Sequence, residues 1–370
     1  MIWNYDHLFQ MSYDFDGQAE KLLEKCMLCP RTCGVNRIAG ETGYCGAGPF
    51  IEVARTMLHK WEEPCISGAD PLRGSGAVFF RHCSLGCIYC QNYEISGTGD
   101  RAGDIASDIA RLSKERASAE KPVSATRFAL PEPLSVPRFA GMLLQLQNKG
   151  AYNINLVTPT HYMPLIARAV IEAKRQGLSV PVVYNTGGYE RAEMIEKLEG
   201  IVDVFLTDLK YLTDGTAKKY SNAGNYVDNA FEALKMMFDI TGRGLEFGDD
   251  GMLKRGVIVR HLVLPGHSYA ASKIIKKLYA RYGDNIIYSL MNQYTPLPDA
   301  NPRLSLFPEL LKAVDESEYR QAVETLEELA PKYAFIQEGG TISESFIPDW
   351  NDTYLTDADD SASGEAPGGF

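Results

Sequence analysis

The stretch Cys83-Ser-Leu-Gly-Cys87-Ile-Tyr-Cys90 carries three cysteines within eight residues, directly after the apolar run Ala77–Arg81. Cysteine thiolates are the usual ligands of iron–sulfur clusters, and an all-protein site normally supplies four of them. Three thiolates at this spacing can hold three irons of a 4Fe–4S cube and leave the fourth iron open to a substrate or cofactor. The spacing therefore indicates cluster chemistry on a loop that follows a strand.

Two plainer interpretations of this stretch are a zinc site and three unrelated buried thiols. Zinc sites of this kind usually close with a fourth Cys or His at short spacing. The nearby candidate is His82, which adjoins Cys83 on the apparent strand. We favour the open cluster over both.

The bulk composition is that of an ordinary globular protein, with 45% hydrophobic and 23% charged residues. Its net charge of −11 argues against non-specific nucleic-acid binding, which needs a basic surface. The sequence shows neither the apolar run of a secretory signal near its start nor the roughly 18 consecutive apolar residues of a membrane span. Eight cysteines in such a chain suggest reduced thiols held for metal or catalysis. We therefore expect a cytosolic protein.

Apolar runs alternate with helical patterns from Gly76 onward, which predicts a parallel sheet with crossover helices. The predicted strands are Ala77–Arg81, Asn153–Thr158, Val180–Asn185, Val202–Leu209, Gly256–Leu264 and Asn285–Met291, with a further short run at Tyr333–Gln337. The predicted helices include Val136–Lys149, Leu165–Gln176 and Glu316–Leu329. Gly150 and Gly177 end the first two, because glycine accepts the left-handed conformation that closes a helix.

The chain divides by composition into three parts. Residues 1–75 form a cysteine-rich extension that we expect to be irregular to about Pro64, and residues 76–345 form the α/β domain. Residues 111–135 are polar and charged and then rich in proline, which indicates an insertion on the first crossover. The acidic tail, residues 346–370, has few large apolar groups and is expected to be disordered.

The run CSLGCIYCQN resembles the cluster motif of radical S-adenosylmethionine enzymes, with Tyr89 at the aromatic position before the last cysteine. Further segments resemble one branch of that superfamily, the iron–sulfur proteins related to pyruvate formate-lyase activating enzyme. In order along the chain these segments are CMLCPRTCGVNR, INLVTPTH, YNTGGY, DLKY, RHLVLPGH and SLMNQYTP. Together they cover roughly residues 26–340, most of a domain-sized chain.

The resemblance implies a partial (β/α)6 parallel barrel with the cluster loop after the first strand. It also implies a 4Fe–4S cluster on Cys83, Cys87 and Cys90, and S-adenosylmethionine across the carboxyl ends of the strands. The reduced cluster would cleave S-adenosylmethionine to a 5′-deoxyadenosyl radical, which abstracts hydrogen from the substrate. Ligands of parallel α/β folds bind at this edge of the sheet, so the strand pattern and the resemblance agree.

Several polar residues lie at predicted strand ends, where the resemblance implies contacts with S-adenosylmethionine. Asn185 precedes two glycines that let the backbone approach a ligand. Asp208 and Lys210 share one side of their strand, where they could pair with each other or reach the ligand. The complete set of predicted contacts is Tyr89, Thr158, Thr160, Asn185, Asp208, Lys210, His261 and Pro265.

Two of these predictions depend on details of the sequence. Many superfamily members have Gly-Gly-Glu after the second strand to hold the cofactor amine, whereas this chain has Thr158-Pro-Thr160-His. The two threonines could accept hydrogen bonds from the amine, but no carboxylate follows, and Glu132 lies in the predicted insertion.

On the fifth strand Arg260 and His261 point to opposite sides. Arg260 requires a polar partner if it is the one inside the barrel.

A second cysteine set, Cys26-x2-Cys29-x3-Cys33-x11-Cys45, has four thiols at the spacing of a closed metal site. Either tetrahedral zinc or an auxiliary 4Fe–4S cluster satisfies that spacing, and both remain open. Cys65 belongs to neither set, and a plain buried thiol accounts for it.

Function follows from the resemblance. It implies a radical S-adenosylmethionine oxidoreductase that installs a glycyl radical on a partner protein, with reduced flavodoxin or ferredoxin as electron donor. One alternative is a radical enzyme acting on a small molecule. An alternative of another class is an electron-transfer protein without catalysis, which would need four ligands at each cysteine set.

Overall fold

The computed structural model describes residues 18–97, 133–297 and 302–337. A nine-stranded sheet forms the centre of this described part. Its strands in chain order are β1 (Val53–His59), β2 (Gly74–Phe80), β3 (Ala151–Val157), β4 (Val182–Thr186), β5 (Val204–Asp208), β6 (Glu246–Phe247), β7 (Leu253–Leu262), β8 (Ile287–Met291) and β9 (Ala334–Ile336).

Helices connect these strands. In chain order they are α1 (residues 18–24), α2 (Pro64–Ser67), α3 (Tyr93–Ser96), α4 (Val136–Asn148), α5 (Met163–Arg175), α6 (Ala192–Glu196), α7 (Asp214–Ser221), α8 (Tyr226–Ile240), α9 (Ser268–Tyr282) and α10 (Glu316–Leu329). Short 3-10 turns occur at Thr160–Tyr162, Gly283–Asn285, Pro302–Leu306 and Pro308–Leu310.

The strands follow one another across the sheet almost in chain order, β1-β2-β3-β4-β5-β7-β8-β9, with β6 beside β7. Every pair from β2 onward along this path is parallel, whereas β1 is antiparallel to β2. A parallel sheet whose order never reverses winds in one direction, because its crossovers are right-handed. This arrangement is consistent with a partial barrel, and the predicted α/β fold class is confirmed.

All six predicted strands of the domain are present, with ends that differ from the prediction by no more than three residues. Both predicted helix-closing glycines adopt left-handed backbone angles, with φ of 96° at Gly150 and 106° at Gly177. The helix predicted at Glu316–Leu329 has those bounds. Strong apolar runs and glycine stops therefore determine these elements locally.

One expectation about the fold was wrong. The N-terminal region is not irregular to Pro64, because it contains helix α1 and strand β1. The short run predicted at Tyr333–Gln337 contains β9, which adds a parallel strand beside β8. Strand β1 is a half-buried edge strand with only two buried residues in seven, so its apolar pattern is weak. The tail and most of the predicted insertion lie outside the described residues.

The two faces of the sheet have different environments. One face packs on the crossover helices through alternating residues such as Ile154, Leu156 and Tyr184. On the opposite face Cys65 and Ile66 of α2 close a smaller cluster, whose strand members are Val183, Val204, Leu206, Leu253, Ile258 and Ile287. Burial raises the pKa of the Cys65 thiol to about 12. Cys65 is thus a protonated thiol that packs inside the barrel.

Arg260 also lies on this inner face, where it binds two carboxylates from the segment before α2. Its Nε donates to Glu63 Oε1 at 2.7 Å, and its Nη2 donates to Glu63 Oε2 at 2.6 Å and to Glu62. Asn155 Nδ2 donates to Glu62 Oε1 at 2.9 Å. Burial alone would raise the pKa of Glu62, but the Arg260 guanidinium outweighs burial and lowers it. The expected polar partner of an inward Arg260 is confirmed.

Replacing Arg260 by leucine should destabilise the protein by several kcal/mol, about 3–5, because two buried carboxylates lose their cation. In the parent protein the lowered pKa of Glu62 contributes stability that is lost as pH falls. In R260L the unpaired carboxylates favour protonation, so stability should instead rise as pH falls from about 8 to 5. Thermal unfolding across that range measures the two slopes. The exposed Arg320 of α10 supplies the control, R320L, which should change stability by less than about 0.5 kcal/mol. Equal small effects of both variants would contradict this account.

Candidate active site

The three motif cysteines lie on a loop that leaves the carboxyl end of β2. His82 turns the chain there with a φ of 72°, and its N–H donates to the Ile95 carbonyl at 2.7 Å. Cys87 is buried, whereas Cys83 and Cys90 are half-buried. The loop therefore begins at the sheet edge where parallel folds bind their ligands.

Two of the three sulfur atoms accept a hydrogen bond from the protein. The Leu85 N–H approaches Cys83 Sγ at 3.4 Å, and the Ser221 hydroxyl approaches Cys87 Sγ at 2.9 Å. At Cys90, burial outweighs the nearby polar groups of Ser96 and Asn92 and raises the pKa of the thiol to about 11. Donors on sulfur stabilise the thiolate form. This donor set fits cluster ligands.

His82, the histidine beside the motif, contacts Glu52 and His161. His82 Nε2 lies 3.5 Å from Glu52 Oε2, and its ring meets the His161 ring edge-on at 6.3 Å between centroids. Among the residues that the structure describes, no three His, Cys, Asp or Glu side chains are gathered so that they could hold a single metal ion. A cube distributes its ligands over separate irons, so its thiolates need not converge on one point.

The cysteine loop meets the turn after β4. A methyl group at Gly187 would lie 2.7 Å from Leu85 Cδ1 and 3.4 Å from Lys210 Cε. Gly188 has a φ of 79°, and a methyl group there would overlap the Asp208 carbonyl oxygen. Gly188 is thus required by close backbone approach, whereas Gly187 is crowded by the ends of two side chains. They bring the carboxyl ends of β2, β4 and β5 together.

One tyrosine of α8 joins the last two of these segments. The Tyr226 hydroxyl donates to the Gly187 carbonyl at 3.0 Å or the Asp208 carbonyl at 3.1 Å, and it accepts from the Lys210 N–H at 2.9 Å. The Lys210 ammonium pairs with the Asp208 carboxylate. Burial alone would lower the pKa of Lys210, but Asp208 outweighs burial and raises it. Lys210 is therefore a half-buried cation beside the cysteine loop.

The predicted contacts at the ends of β3 and β4 differ in their surroundings. Thr158 has a φ of 61°, unusual for a β-branched residue, and its N–H donates to the Asn185 carbonyl at 2.8 Å. The Asn185 side chain is half-buried, and no hydrogen bond within the described ranges engages its amide. Asn185 is thus available to a ligand, while Thr158 bends the chain sharply away from the strand.

Thr160 bonds the carboxylate of Glu190, a residue that was not among the predicted contacts. Its hydroxyl donates to Glu190 Oε1 at 2.5 Å, and the Thr186 hydroxyl donates to the same oxygen. Glu190 is 1% exposed, and burial raises its pKa to about 7. The motif YNTGGY ends one residue before it, and the i,i+4 spacing from Thr186 was the available signal.

His261 and Pro265 lie after the point where Arg260 turns inward. The His261 ring is buried, with Nδ1 2.6 Å from the Leu209 carbonyl, and burial lowers its pKa to about 4. His261 is therefore neutral at neutral pH. Pro265 is buried in a turn whose next residue, Gly266, donates its N–H to the Glu318 carboxylate at 3.0 Å.

Tyr89 begins a chain of hydroxyl groups that ends on a motif cysteine. Its hydroxyl lies 2.7 Å from the Tyr211 hydroxyl, which bonds Ser221, and Ser221 donates to Cys87 Sγ. The Tyr89 ring meets the Tyr294 ring edge-on at 6.2 Å between centroids. The aromatic position of the motif is thus held by polar and aromatic contacts together.

The four N-terminal cysteines line one small cavity, together with residues that include Arg37 and His161. Cys26 and Cys45 are buried, Cys29 is half-buried and Cys33 is exposed. The Tyr44 N–H donates to Cys33 Sγ at 3.3 Å. Burial raises the pKa of the Cys29 thiol. The predicted second set is thus brought to one place in the fold.

Residues 77–278 match the radical SAM superfamily model, which is more than half of the 370-residue chain. The chain therefore belongs to the radical SAM superfamily, whose members are enzymes that use a 4Fe–4S cluster and S-adenosylmethionine. The branch related to pyruvate formate-lyase activating enzyme stays a prediction.

Two known proteins are similar to the chain. It is 26% identical over 308 residues to the uncharacterized protein MJ0674 of Methanocaldococcus jannaschii. The matched region covers 81% of this chain and 76% of that protein. The crystal structure of Streptococcus suis SuiB bound to precursor peptide SuiA matches with a TM-score of 0.42 and 10% identity. That match covers 70% of this chain and 47% of SuiB, so the chain spans less than half of SuiB. No helix in the described part of the chain has both the length and the apolarity needed to cross a membrane.

The raised pKa of Glu190 predicts a pH dependence of stability. The folded protein releases this proton near pH 7, whereas an unfolded glutamate releases it near 4.5. Stability should therefore fall as pH rises between these values, by on the order of 3 kcal/mol, since one pKa unit corresponds to about 1.4 kcal/mol. The variant E190Q should remove this loss, so its melting temperature should gain on the parent from about pH 5 to pH 7.5. The exposed Glu196 of α6 gives the control E196Q, which should run parallel to the parent. A parallel E190Q curve would show that Glu190 titrates normally.

Proposed function

We propose that Cys83, Cys87 and Cys90 bind three irons of a 4Fe–4S cluster and leave the fourth iron to S-adenosylmethionine. The observation that carries this proposal is a loop of three cysteines at the carboxyl end of β2 that lies beside Gly187, with donors on Cys83 Sγ and Cys87 Sγ. The engagement of His82 with Glu52 supports a set of three ligands. When both groups are bound, they supply reductive cleavage of S-adenosylmethionine to a 5′-deoxyadenosyl radical for hydrogen abstraction.

Several residues at this edge are suited to S-adenosylmethionine. Asn185 offers a half-buried amide for ribose hydroxyls, and Lys210 offers a half-buried cation for the methionyl carboxylate. Tyr89 and Pro265 would contribute ring and backbone surface. Thr158, Thr160 and His261 complete the proposed lining, with Thr160 acting through its bond to Glu190.

The second cysteine set is proposed to hold a structural metal. Cys26, Cys29, Cys33 and Cys45 line one cavity. No three of them converge as the ligands of a single zinc ion would, so an auxiliary 4Fe–4S cluster, whose thiolates bind separate irons, suits the set better than zinc. Four thiolates close such a site, so it would have no open position for a substrate. We infer a cytosolic location, because both sets require reduced thiols.

We propose a partner protein as the substrate, with a glycine Cα–H as the reacting bond and reduced flavodoxin or ferredoxin as the electron donor. This proposal depends on the sequence resemblance to pyruvate formate-lyase activating enzyme. The alternative that an experiment must distinguish from a protein substrate is a small-molecule substrate.

The cysteine assignment predicts a specific pattern of loss. Alanine at Cys83, Cys87 or Cys90 should abolish both the reconstituted cluster at this site and the release of 5′-deoxyadenosine from S-adenosylmethionine with dithionite. Iron and sulfide content and product chromatography measure the two losses. The matched control is C65A, which removes a thiol inside the barrel that is as buried as that of Cys87 and should keep both properties. Retention of product by any motif variant would contradict the assignment.

The substrate proposal predicts isotope transfer. A candidate glycyl-radical protein with deuterated glycine, incubated with the reduced enzyme, should give deuterium-labelled 5′-deoxyadenosine by mass spectrometry, because hydrogen is taken from the glycine Cα. The C87A variant controls for transfer without the cluster. Unlabelled product with every candidate partner, in the presence of normal cofactor cleavage, would favour a small molecule.

A further inference from the structure

Arg31 connects the N-terminal cysteine segment to the motif loop. It lies between Cys29 and Cys33, and its Nε donates to the Ser84 carbonyl at 3.0 Å. Its Nη2 donates to the Ser221 carbonyl at 3.2 Å, and its Nη1 donates to the Asn222 carbonyl. Since Ser84 follows Cys83 directly, a single side chain joins two cysteine sets that are far apart in sequence.

The guanidinium of Arg31 is enclosed by aromatic rings. Its Cζ lies 3.7 Å from the centroid of Tyr44 and 5.3 Å from that of Tyr189. Tyr44 also touches the motif loop, because its hydroxyl occupies the place of a side chain at Gly86. Tyr44 precedes Cys45, so both contacts to the motif loop come from residues within two positions of an N-terminal cysteine.

The carboxyl end of α7 completes the connection. Its Tyr220 carbonyl accepts from the Ile88 N–H at 2.9 Å, and its Ser221 hydroxyl donates to Cys87 Sγ at 2.9 Å. A cation at a helix carboxyl terminus is stabilised by the helix dipole and the free carbonyls there. Arg31 therefore fixes the helix end that itself holds the motif loop.

We propose that the N-terminal cysteine segment is a metal-dependent clamp on the motif loop, with Arg31 as its positioning residue. The segment from Cys26 to Cys45 contains only turns and irregular backbone. A metal held by the four cysteines would fix Arg31 between two ligands and Tyr44 beside a third. The clamp rests on the proposed function of both cysteine sets, and it assigns the N-terminal set a structural role toward the other.

The experiment measures alkylation of Cys83 and Cys90 by a thiol reagent in the full-length protein without a cluster at the motif, using mass spectrometry of peptides. R31Q should raise both rates on the order of ten-fold, since the loss of hydrogen bonds from a charged donor favours local opening. C33A, which removes the exposed N-terminal ligand, should have a similar effect. The double variant should be no more reactive than the single variants, because both break one connection. The control R243Q changes an arginine that is 69% exposed on the surface and should leave the rates unchanged.

Three results would overturn the clamp: unchanged rates in R31Q, unchanged rates in C33A, or effects that multiply in the double variant. If R31Q does not fold by circular dichroism, R31K serves instead, because lysine keeps the charge and loses the three-way fork. It should then show raised rates in a folded protein, and unchanged rates would count against the clamp. Since this measurement needs no cluster at the motif, its outcome is separate from whether Cys83, Cys87 and Cys90 bind one.

Discussion

The site depends on one topological constraint, the uninterrupted parallel order of strands β2 to β9. Strands wound in one direction bring all their carboxyl ends to the same edge. Segments far apart in sequence thus meet there, and the side chains of Leu85 and Lys210 both lie beside Gly187. Gly188 is needed because a side chain there would overlap the Asp208 carbonyl oxygen.

The charged groups Arg260, Lys210 and Glu190 are stabilised in different ways. Arg260 binds two carboxylates, and Lys210 binds one, so both cations are neutralised by direct partners. Glu190 receives two hydroxyl donors, which lower its pKa, but burial outweighs them and raises the pKa to about 7. A buried charge without a counter-ion is costly, so burial favours the neutral acid.

The sequence allowed the local elements to be predicted, but not the contacts between them. Val202–Leu209 could be assigned as a strand because its apolar run is self-contained, and Gly150 marks a helix end wherever the helix packs. The requirement that an inward Arg260 has a partner also followed from its surroundings. The partners Glu62 and Glu63 could not be identified, because they lie 198 and 197 residues away in the sequence.

The same limit explains the missed members of the site. Tyr226 and Ser221 carry no motif, and they matter only because α8 and α7 pack against the sheet edge. Strand β1 was missed because an edge strand needs few apolar residues. Glu190 differs from these residues because it lies directly after the motif YNTGGY. Its importance comes from its burial beside Thr160 and Thr186, which the motif does not indicate.

The motif loop has little regular structure of its own, so neighbouring elements determine its conformation. Its backbone N–H at Ile88 and its carbonyl at Ser84 bond groups from outside the loop. The hydroxyl that supports Cys87 likewise comes from α7, more than a hundred residues away. A loop held in this way is as rigid as the segments around it. The N-terminal cysteine segment is one of them, and a metal there would stiffen the motif loop without touching it.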